Sequence, residues 1–471
     1  MKPETAKRQI RAIKGVRDIL PPESALWNRV EQTAREVFAT YGYGEIRLPL
    51  FERGLIFERS VGADTDIVAK EMYNWIDSPR VSRALTKLHW LAMETGQKAS
   101  ALTSAVGKEL LRLAEAGSFD TIGDRVWIAL RPEATASVVR AYIENKLYEL
   151  PGDVKLYYIG PMFRRERPQK GRYRQFYQIG AEVLGQSDAP AIDAEVIEML
   201  MAFFERISLK DCTLYLNSIG CRECRPKYVE NLREALLKVK DQLGVDSQRR
   251  IETNPLRVLD SKLPEEQAII EKLPRIGDYL CTACREHLGA MLGQLRLRGI
   301  AYAINWRLVR GLDYYMRTTF EITAPGLGAQ NAVCGGGRYD GLVELLGGPP
   351  TKGIGFAIGT DRLVLSLQES GKAAVASDLD VYLAWLGVKG YEVALRIGRK
   401  LRGAGLSVEI PPEDWKLKKS LGLADKLGAR YAVILGENEV ASGRFTVKRL
   451  ADASQRELGE AELIEFLRSK P

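Results

Sequence analysis

The strictly alternating segment 175–184 constrains the fold of this chain more than any other stretch. One face of the predicted strand is apolar and is formed by Tyr177, Ile179, Ala181 and Val183. The other face presents an aromatic ring, an amide, a gap and a carboxylate, from Phe176, Gln178, Gly180 and Glu182. Residues 157–164 precede this strand across a basic loop, which predicts an antiparallel hairpin. The mixed face fits the floor of a binding site, although an ordinary half-exposed hairpin has the same pattern.

Length and composition indicate a globular chain of more than one domain. Its 471 residues exceed what one hydrophobic core holds, so we expect two or three domains. The net charge of +8 fits either a polyanionic partner or a solvated surface. Residues 1–18 lack an apolar segment and no apolar run reaches about 18 residues, so neither a secretory signal nor a membrane span is expected. Six cysteines, mostly in two Cys-x-x-Cys pairs, favour the reducing cytoplasm.

The spacing of apolar residues predicts both helices and strands. A helix is predicted over 23–41, and a strand over 45–50 that should lie at an edge because Pro49 cannot donate to a ladder. Residues 190–300 are predicted to be mostly helical. Beyond about residue 378, strands and helices alternate, which predicts a small α/β domain with a mainly parallel sheet.

The glycine alternation within residues 353–362 is a second candidate site. One face of this extended segment carries almost no side chains, from Gly353, Gly355, Ala357 and Gly359. A flat ligand is expected to lie against that bare face. Thr360 is predicted to cap the following helix, which Arg362 opens. Close packing of sheets or helices favours the same glycines, so this pattern alone is weak.

Two glycine-containing segments place arginine beside tyrosine. They are 310–315 (Arg-Gly-Leu-Asp-Tyr-Tyr) and 336–341 (Gly-Gly-Arg-Tyr-Asp-Gly). A guanidinium fork pairs with carboxylate and phosphate oxygens, so both segments suit anion and aromatic contacts. Alternatively, each segment is a turn whose polar side chains are paired within the protein.

Together these segments resemble the histidyl-tRNA synthetase family of class II aminoacyl-tRNA synthetases, over nearly the whole chain. Residues 42–51 resemble motif 1, residues 163–178 resemble motif 2, and residues 353–362 resemble motif 3. These motifs indicate only the class. Segments 310–315 and 336–341 are similar to ones peculiar to the histidine enzymes, and they carry the predicted specificity.

The resemblance implies an α/β fold with an α+β catalytic domain, in which helices flank the class II antiparallel sheet. The implied domains are 1–190 and 301–370 for the two parts of the catalytic core, 191–300 for a helical insertion domain and 378–471 for a small α/β anticodon-binding domain. Residues 77–120 are extra relative to the compact pattern and are predicted to form a helical insertion at the surface.

The resemblance also implies a two-step ligase reaction. The carboxylate of L-histidine attacks the α-phosphate of ATP, and the terminal adenosine of tRNA(His) then takes the acyl group. Arg164 is expected to hold the α-phosphate and the carboxylate, and Arg310 to approach the same phosphate where other class members use a metal ion. The residues expected to bind ATP are Arg164, Arg172, Phe176 and Arg362, with Mg²⁺ as cofactor.

The resemblance assigns a histidine-binding set of Glu133, Thr135, Gln178, Glu182, Tyr314, Tyr315 and Tyr339. Glu133 and Thr135 are expected to bind the ammonium group with Gln178. Glu182 and Tyr315 are expected to frame the imidazole, because its neutral form has one donor and one acceptor nitrogen. Asp361 stands where the class usually has glutamate, and its shorter side chain weakens the expectation of a magnesium contact there.

Further expectations concern tRNA, assembly and metal. Arg167 and Gln169 are expected to contact the acceptor end of the tRNA, and motif 1 implies a homodimer. In the C-terminal domain, an aromatic ring and three lysines could contact the bases and phosphates of the anticodon, or they could simply begin a solvated helix. They are Trp415, Lys416, Lys418 and Lys419.

Four cysteines could form one zinc site or could be free buried thiols. They are Cys221, Cys224, Cys281 and Cys284.

Two other functions are compatible with the same fold as the ligase, so the fold alone cannot decide among the three. One is a catalytically inactive, synthetase-like regulatory subunit of histidine biosynthesis, and the other is a tRNA-binding sensor without aminoacylation. The C-terminal domain and the intact set of Arg164, Arg310, Glu133 and Glu182 favour the ligase.

Overall fold

The structure is a computed structural model that describes residues 10–62, 65–77, 126–209, 211–325, 327, 331–371 and 379–468. Almost all of the predicted insertion at 77–120 therefore lies outside the described residues. The chain divides into two compact units, Met1–Leu20 with Trp27–Ala373 and Pro21–Leu26 with Ala374–Pro471. No described helix is both long and apolar enough to cross a lipid bilayer.

Through residue 371 the chain builds a mixed set of strands and helices. The strands are β1 (Gly44–Glu45), β2 (Phe51–Arg53), β3 (Asn74–Asp77), β4 (Val126–Leu130), β5 (Val154–Phe163), β6 (Gln175–Gly185), β7 (Thr213–Ser218), β8 (Ala303–Ile304), β9 (Met316–Thr323), β10 (Ala332–Arg338) and β11 (Lys352–Gly359). The helices are α1 (Glu23–Thr40), α2 (Gly54–Val61), α3 (Thr135–Glu144), α4 (Pro190–Arg206), α5 (Arg225–Leu237), α6 (Val245–Thr253), α7 (Pro264–Ile270), α8 (Thr282–Leu297), α9 (Leu342–Leu345) and α10 (Thr360–Glu369).

One large sheet organises the first unit. In the described part of the chain its order is β1-β5-β6-β11-β10-β9-β7-β8, and β2-β4-β3 form a smaller sheet. Neighbours from β5 to β7 are all antiparallel, whereas the edge strands β1 and β8 pair in parallel. The antiparallel sheet with helices that was predicted for the fold class is confirmed.

The hairpin predicted from the alternating segment lies inside this sheet. Strands β5 and β6 pair along their whole length. Ile179, Ala181 and Val183 are buried on the apolar face. Helix α1 covers this layer, with the Phe38 ring centroid 5.6 Å from that of Tyr157. Burial of such rings and branched side chains stabilises the sheet and leaves the polar face of β6 for a ligand.

The strand predicted over 45–50 is wrong in length, because only Gly44–Glu45 pair with β5. The carbonyls of Leu48 and Pro49 accept hydrogen bonds from the buried side chain of Arg131 at 2.9 and 3.2 Å instead. Pro49 has no N–H to offer a ladder, so this segment is held by a side chain rather than by a strand. Its predicted place at the sheet edge is confirmed.

The described residues within 190–300 are mostly helical, as predicted, but they include a strand that the sequence pattern did not predict. Strand β7 pairs with β9 and so belongs to the large sheet. Helix α4 packs against α8. Helices α5 to α8 enclose an apolar core of their own that includes Tyr228, Leu232 and Ile251.

The second unit is a small α/β structure with strands β12 (Val381–Trp385), β13 (Val408–Glu409), β14 (Tyr431–Leu435), β15 (Arg444–Arg449) and β16 (Gln455–Gly459). Its helices are α11 (Gly387–Gly403), α12 (Leu417–Lys426), α13 (Glu437–Ser442) and α14 (Glu460–Arg468). The predicted alternation is confirmed, but the mainly parallel sheet is wrong. Strand β12 is parallel to β13 and β14, whereas the β14–β15 and β15–β16 pairs are antiparallel. The connection over 450–454 is too short for the crossover that a parallel pair needs.

The helix predicted to begin near Thr360 is confirmed as α10, but Thr360 is its first residue rather than its cap. Gly359 occupies the N-cap position in an extended conformation as it leaves β11. The buried hydroxyl of Thr360 has no hydrogen-bond partner among the described residues.

Candidate active site

A cavity of about 280 Å³ borders the polar face of β6 and brings together most of the residues predicted from the sequence. The predicted residues that line it are Glu133, Thr135, Arg164, Arg172, Phe176, Gln178, Arg310, Tyr314, Tyr315 and Arg362. The other predicted residues do not line it. Glu182 lies one hydrogen bond behind Thr135, and Tyr339 donates to the other oxygen of Glu182. Arg167 and Gln169 lie in the loop between β5 and β6.

Two hydroxyl groups hold the carboxylate of Glu182 behind the cavity wall. Thr135 Oγ1 donates to Oε1 and Tyr339 Oη donates to Oε2, each at 2.7 Å. Glu182 is only 1% exposed. Burial raises the pKa of Glu182 to about 8; the two hydroxyls oppose this rise, and nearby Glu133 adds to it. The ionisation of Glu182 therefore depends on the charge of whatever enters the cavity.

Glu133 lies at the N-terminus of α3. Its carboxylate accepts the backbone N–H of Thr135 at 2.7 Å and that of Ala136 at 3.0 Å. Free N–H groups at a helix start favour a negative charge, although burial raises the pKa of Glu133. Glu133 and Glu182 thus give this end of the cavity two buried carboxyl groups, which suit a cationic ligand group.

Arg310 reaches the cavity from the segment before β9. Its Nη1 donates to Glu321 Oε2 at 3.0 Å, and its guanidinium carbon is 5.9 Å from the Tyr315 ring centroid. A Cβ at Gly335 would overlap this guanidinium, so glycine in β10 makes room for it. Burial lowers the pKa of Arg310, but Tyr315 and Glu321 raise it by more, so the net pKa is raised and the group stays cationic.

Arg164 lies at the end of β5, beside the aromatic ring of the polar face. Its Nε donates to the Pro132 carbonyl at 2.9 Å, and its guanidinium carbon is 5.2 Å from the Phe176 ring centroid. On α10, Arg362 Nη1 donates to the Ala332 carbonyl at 3.1 Å. Both arginines are thus fixed by backbone carbonyls at the cavity wall, which costs little reorganisation when an anion binds.

The loop between β5 and β6 is closed by a tight turn. Gln169 and Arg172 exchange backbone hydrogen bonds of 3.1 and 2.9 Å, and Gly171 in the turn has a φ of +72°. Arg172 Nε lies 3.2 Å from Glu166 Oε2. The turn directs Arg172 toward the cavity and leaves Gln169 outside it.

The bare face of β11 is only partly open to a ligand. A Cβ at Gly353 would overlap Tyr339, and one at Gly355 would overlap Glu182. These two glycines accommodate protein side chains, so only the rest of the face is open to a flat ligand. Ala357 and Gly359, farther along the strand, do line the cavity.

Arg338, in the segment 336–341, is a structural anchor rather than an anion-binding residue. Its guanidinium is buried between Asp193 and Asp340, with Nη2 donating to Asp340 at 3.0 Å. Asp340 also accepts the backbone N–H of Gly353 at 3.1 Å. For this arginine the alternative of a turn with satisfied polar groups is confirmed, and the segment contributes Tyr339 to the site.

Several polar atoms beside the cavity are buried without a hydrogen-bond partner in the part of the chain that the structure describes. They are Gln178 Oε1, Tyr158 Oη and Arg310 Nε. Buried polar atoms are nearly always paired, so these atoms indicate where a polar ligand binds.

A sequence model described as "Histidyl-tRNA synthetase" matches residues 99–363, more than half of the chain. The chain belongs to the histidyl-tRNA synthetase family. A second model, the anticodon binding domain, matches residues 380–470. The family predicted from the motifs is thereby confirmed.

Relatives in the histidyl-tRNA synthetase family match over nearly the whole length. The chain is 52% identical to the histidine–tRNA ligase of Koribacter versatilis (strain Ellin345), covering 98% of this chain and 96% of that one. It is 48% identical to the histidine–tRNA ligase of Solibacter usitatus (strain Ellin6076), covering 96% and 98%. The crystal structure of apo S. aureus histidyl-tRNA synthetase matches with a TM-score of 0.72 and 31% identity, covering 98% of this chain and 100% of that one.

In this histidyl-tRNA synthetase family member, the lining residues that the sequence did not predict include Tyr158 and Glu321. Tyr158 lies opposite Gly180 in the β5–β6 register, and a Cβ at Gly180 would overlap its hydroxyl. A tyrosine facing a glycine across a predicted hairpin was therefore an available signal. Glu321 lies opposite Gly335, and that pairing becomes visible only once the β9–β10 register is known.

Proposed function

We propose that this chain is a histidine–tRNA ligase. It forms histidyl-adenylate and pyrophosphate from L-histidine and ATP, and then transfers histidine to the 3′-terminal adenosine of tRNA(His). The observation that carries the proposal is one cavity lined by Arg164, Arg310 and Glu133, with Glu182 hydrogen-bonded behind its wall to Thr135. The two ends match the two halves of the adenylate, a phosphate anion and a cationic amino acid.

In the first step a carboxylate oxygen of histidine bonds to the α-phosphorus, and the bond from that phosphorus to the bridging oxygen breaks. Pyrophosphate leaves with the electron pair. Arg164 and Arg310 hold the α-phosphate oxygens and offset the negative charge that the two reacting anions bring together. Glu321, ion-paired to Arg310, keeps that guanidinium in place.

Histidine binds at the carboxylate end. Glu133, with Gln178, receives the ammonium group, and Tyr315 faces the ring. Glu182 acts through the hydroxyls of Thr135 and Tyr339, which it orients. The buried polar atoms of the pocket pair with the ring nitrogens of histidine. An apolar amino acid of similar size would leave those atoms unpaired, so the pocket discriminates against it.

ATP binds at the arginine end. Adenine stacks between Phe176 and Arg362, and Arg172 meets the distal phosphates. Magnesium bound with the nucleotide would neutralise phosphate charge, and the Glu321 oxygen that is not paired with Arg310 would be a suitable ligand for it. Asp361 is engaged elsewhere, accepting the Tyr177 N–H at 3.0 Å and Arg17 Nη2 at 3.3 Å.

In the second step a hydroxyl of the terminal adenosine attacks the histidyl carbonyl, and AMP leaves. Arg167 and Gln169 of the loop contact the acceptor end of the tRNA. The second unit, with its match to the anticodon binding domain, receives the anticodon.

The chain works as a homodimer in the cytoplasm. Large apolar side chains stay exposed around motif 1, with Phe51 57% and Trp75 43% exposed. Their rings lie 6.5 Å apart and form an apolar patch of the kind that marks a protein interface. None of the six cysteines forms a disulfide, as expected in the reducing cytoplasm.

Pyrophosphate exchange tests the proposal directly. The purified chain is expected to exchange labelled pyrophosphate into ATP only when L-histidine is present, and to charge tRNA(His). An inactive regulatory subunit or a tRNA-binding sensor would bind its ligands without exchange. Exchange with another amino acid but not with histidine would overturn the specificity.

The anticodon role of the second unit gives a separate prediction. Lys419 Nζ lies 4.1 Å from the Trp415 ring centroid, and Lys416 and Lys418 are exposed beside them. Trp415→Ala is expected to raise the KM for tRNA(His) about 10-fold, because one base loses its stacking partner. Histidine-dependent pyrophosphate exchange should not change.

The matched control is Lys426→Ala, an exposed cation farther along α12. It should leave the KM for tRNA within about twofold, as expected for a surface substitution. A Trp415→Ala variant with an unchanged KM for tRNA would place the anticodon elsewhere on the second unit.

A further inference from the structure

Four cysteine side chains converge where the helical segment meets the large sheet. Cys221 and Cys224 precede α5, and Cys281 and Cys284 flank the start of α8. The four sulfur atoms all lie within 4.8 Å of one another. Cys221 Sγ is 3.7 Å from Cys224 Sγ and 3.8 Å from Cys281 Sγ, and Cys224 Sγ is 3.8 Å from Cys284 Sγ.

These distances match a metal-centred tetrahedron, although neighbouring thiols in contact lie equally far apart. A zinc ion with four bonds of about 2.3 Å to sulfur separates neighbouring sulfurs by about 3.8 Å. A disulfide would need sulfurs about 2.05 Å apart, so the measured separations exclude one. Closed sites with four sulfur ligands hold zinc or iron, and zinc is the usual structural ion.

We propose that Cys221, Cys224, Cys281 and Cys284 bind one zinc ion. Backbone groups are already arranged for thiolates: the Cys221 N–H donates to Cys224 Sγ at 3.2 Å, and the Glu223 N–H donates to Cys221 Sγ at 3.4 Å. Such outer hydrogen bonds orient metal ligands and stabilise their charge.

Helix geometry favours the same site. Cys224 is the N-cap residue of α5 and Cys281 is that of α8, so the positive ends of two helices meet at the sulfurs. Zinc with four thiolates carries a net charge of about −2. Arg225, mostly buried beside the cluster, interacts electrostatically with Cys221 and Cys224 and offsets part of that charge.

The zinc would fix two chain segments that are sixty residues apart and connect them to the active site. Cys224 immediately precedes Arg225, whose Nη2 donates to the Tyr315 carbonyl and whose Nε donates to the Ile219 carbonyl at 3.1 Å. The backbone N–H of Arg317 donates to the Gly220 carbonyl at 2.9 Å. The cluster therefore buttresses the backbone of a tyrosine that lines the cavity.

Elemental analysis of the full-length protein tests the site. Protein purified under reducing conditions without chelator is expected to contain about one zinc per chain, and cobalt incorporated in its place should give the strong visible absorption of tetrahedral thiolate coordination. Cys224→Ser and Cys281→Ser should lose the metal. Cys212→Ser, outside the cluster, should retain it. Wild-type protein without bound zinc after incubation with zinc and reductant, or with iron in its place, would overturn the proposal.

A kinetic measurement adds a consequence that rests on the proposed function. Removal of zinc by a chelator is expected to raise the KM for histidine at least about tenfold, with a smaller change in the KM for ATP, because the cluster supports Tyr315. Re-addition of zinc should restore it. Equal effects on both substrates would contradict this link. If the untreated enzyme shows no exchange, the proposed function fails, while the zinc count still decides the site.

Discussion

Replacement of Arg310 by alanine is expected to lower histidine-dependent pyrophosphate exchange about 1000-fold, the upper range for losing one preorganised charged donor. The reason is geometric. Arg310 is a largely buried cation, held by Glu321 at 3.0 Å, and it borders the same cavity as Arg164. Without Arg310, the guanidinium of Arg164 alone would offset the negative charge where the histidine carboxylate and the α-phosphate meet. The initial exchange rate at saturating histidine and ATP is the measurement.

Two further variants separate chemistry from folding. Arg310→Lys should retain part of the activity, because an ammonium supplies the charge without the fork. Gly335→Ala should approach the Arg310→Ala result, since the added Cβ overlaps the guanidinium and must displace it. Gly277→Ala, where a Cβ meets no atom within 4 Å, is the matched glycine control. The role of Arg310 fails if Arg310→Ala is folded and exchanges within tenfold of the parent chain.

A control for the loss of an arginine is also available. Arg298 pairs with Glu198 at 2.8 Å and does not line the cavity. Arg298→Ala should change stability by about 1 kcal/mol, as for a partly exposed ion pair, and leave exchange intact.

Local periodicity explains what the sequence predicted well. The β5–β6 hairpin follows from a two-residue repeat, and α1 follows from apolar residues at helical spacing. Both signals lie within about 20 residues, so no distant pairing is needed to interpret them. The motif residues of the cavity were found for a related reason, since they occur in short recognisable segments.

Features that depend on distant pairing were not predictable in this way. The sheet of the second unit is mixed because β15 and β16 are joined by a short connection, and strand direction is not encoded in apolar spacing. Strand β7 lies in a helical stretch, and its membership of the large sheet depends on pairing with β9, about 100 residues later. Both errors concern strand pairing rather than local apolar spacing.

The candidate site shows the same division. Gly353 and Gly355 correctly marked a close approach, but the approaching groups are Tyr339 and Glu182 rather than a ligand. A glycine in a strand indicates that another group approaches the backbone closely, and only the cross-strand register identifies that group. The four cysteines likewise could not be grouped until β7, α5 and α8 were placed together.

Replacement of Glu182 by glutamine is expected to impair histidine activation strongly and, at the same time, to stabilise the ligand-free protein above about pH 5. The first effect follows from position. Glu182 accepts hydrogen bonds from Thr135 and Tyr339, and a positively charged ligand group in the cavity would favour its ionised form. Its loss should lower kcat/KM for histidine about 100-fold or more, with little change in the KM for ATP.

The second effect follows from the ionisation of a buried acid. The pKa of Glu182 rises from an ordinary value of 4.5 to about 8 in the folded protein. Between these values the unfolded chain releases a proton that the folded chain retains. The free energy of unfolding therefore falls as pH rises through this window, by an amount on the order of a few kcal/mol. Glutamine does not titrate, so the variant avoids that loss.

Thermal unfolding between about pH 5 and pH 8.5 measures the difference. The two proteins should unfold at similar temperatures near pH 5, where Glu182 is largely protonated in the folded state. Near pH 8 the variant should unfold a few degrees higher, given the usual slope of a few degrees per kcal/mol for domains of this size. Glu195→Gln is the control, because Glu195 is a partly exposed glutamate of α4 outside the cavity. A structural role alone would make Glu182→Gln less stable at every pH. A variant that is both inactive and more stable near pH 8 shows instead that the family site keeps a destabilising carboxyl group because histidine recognition requires it.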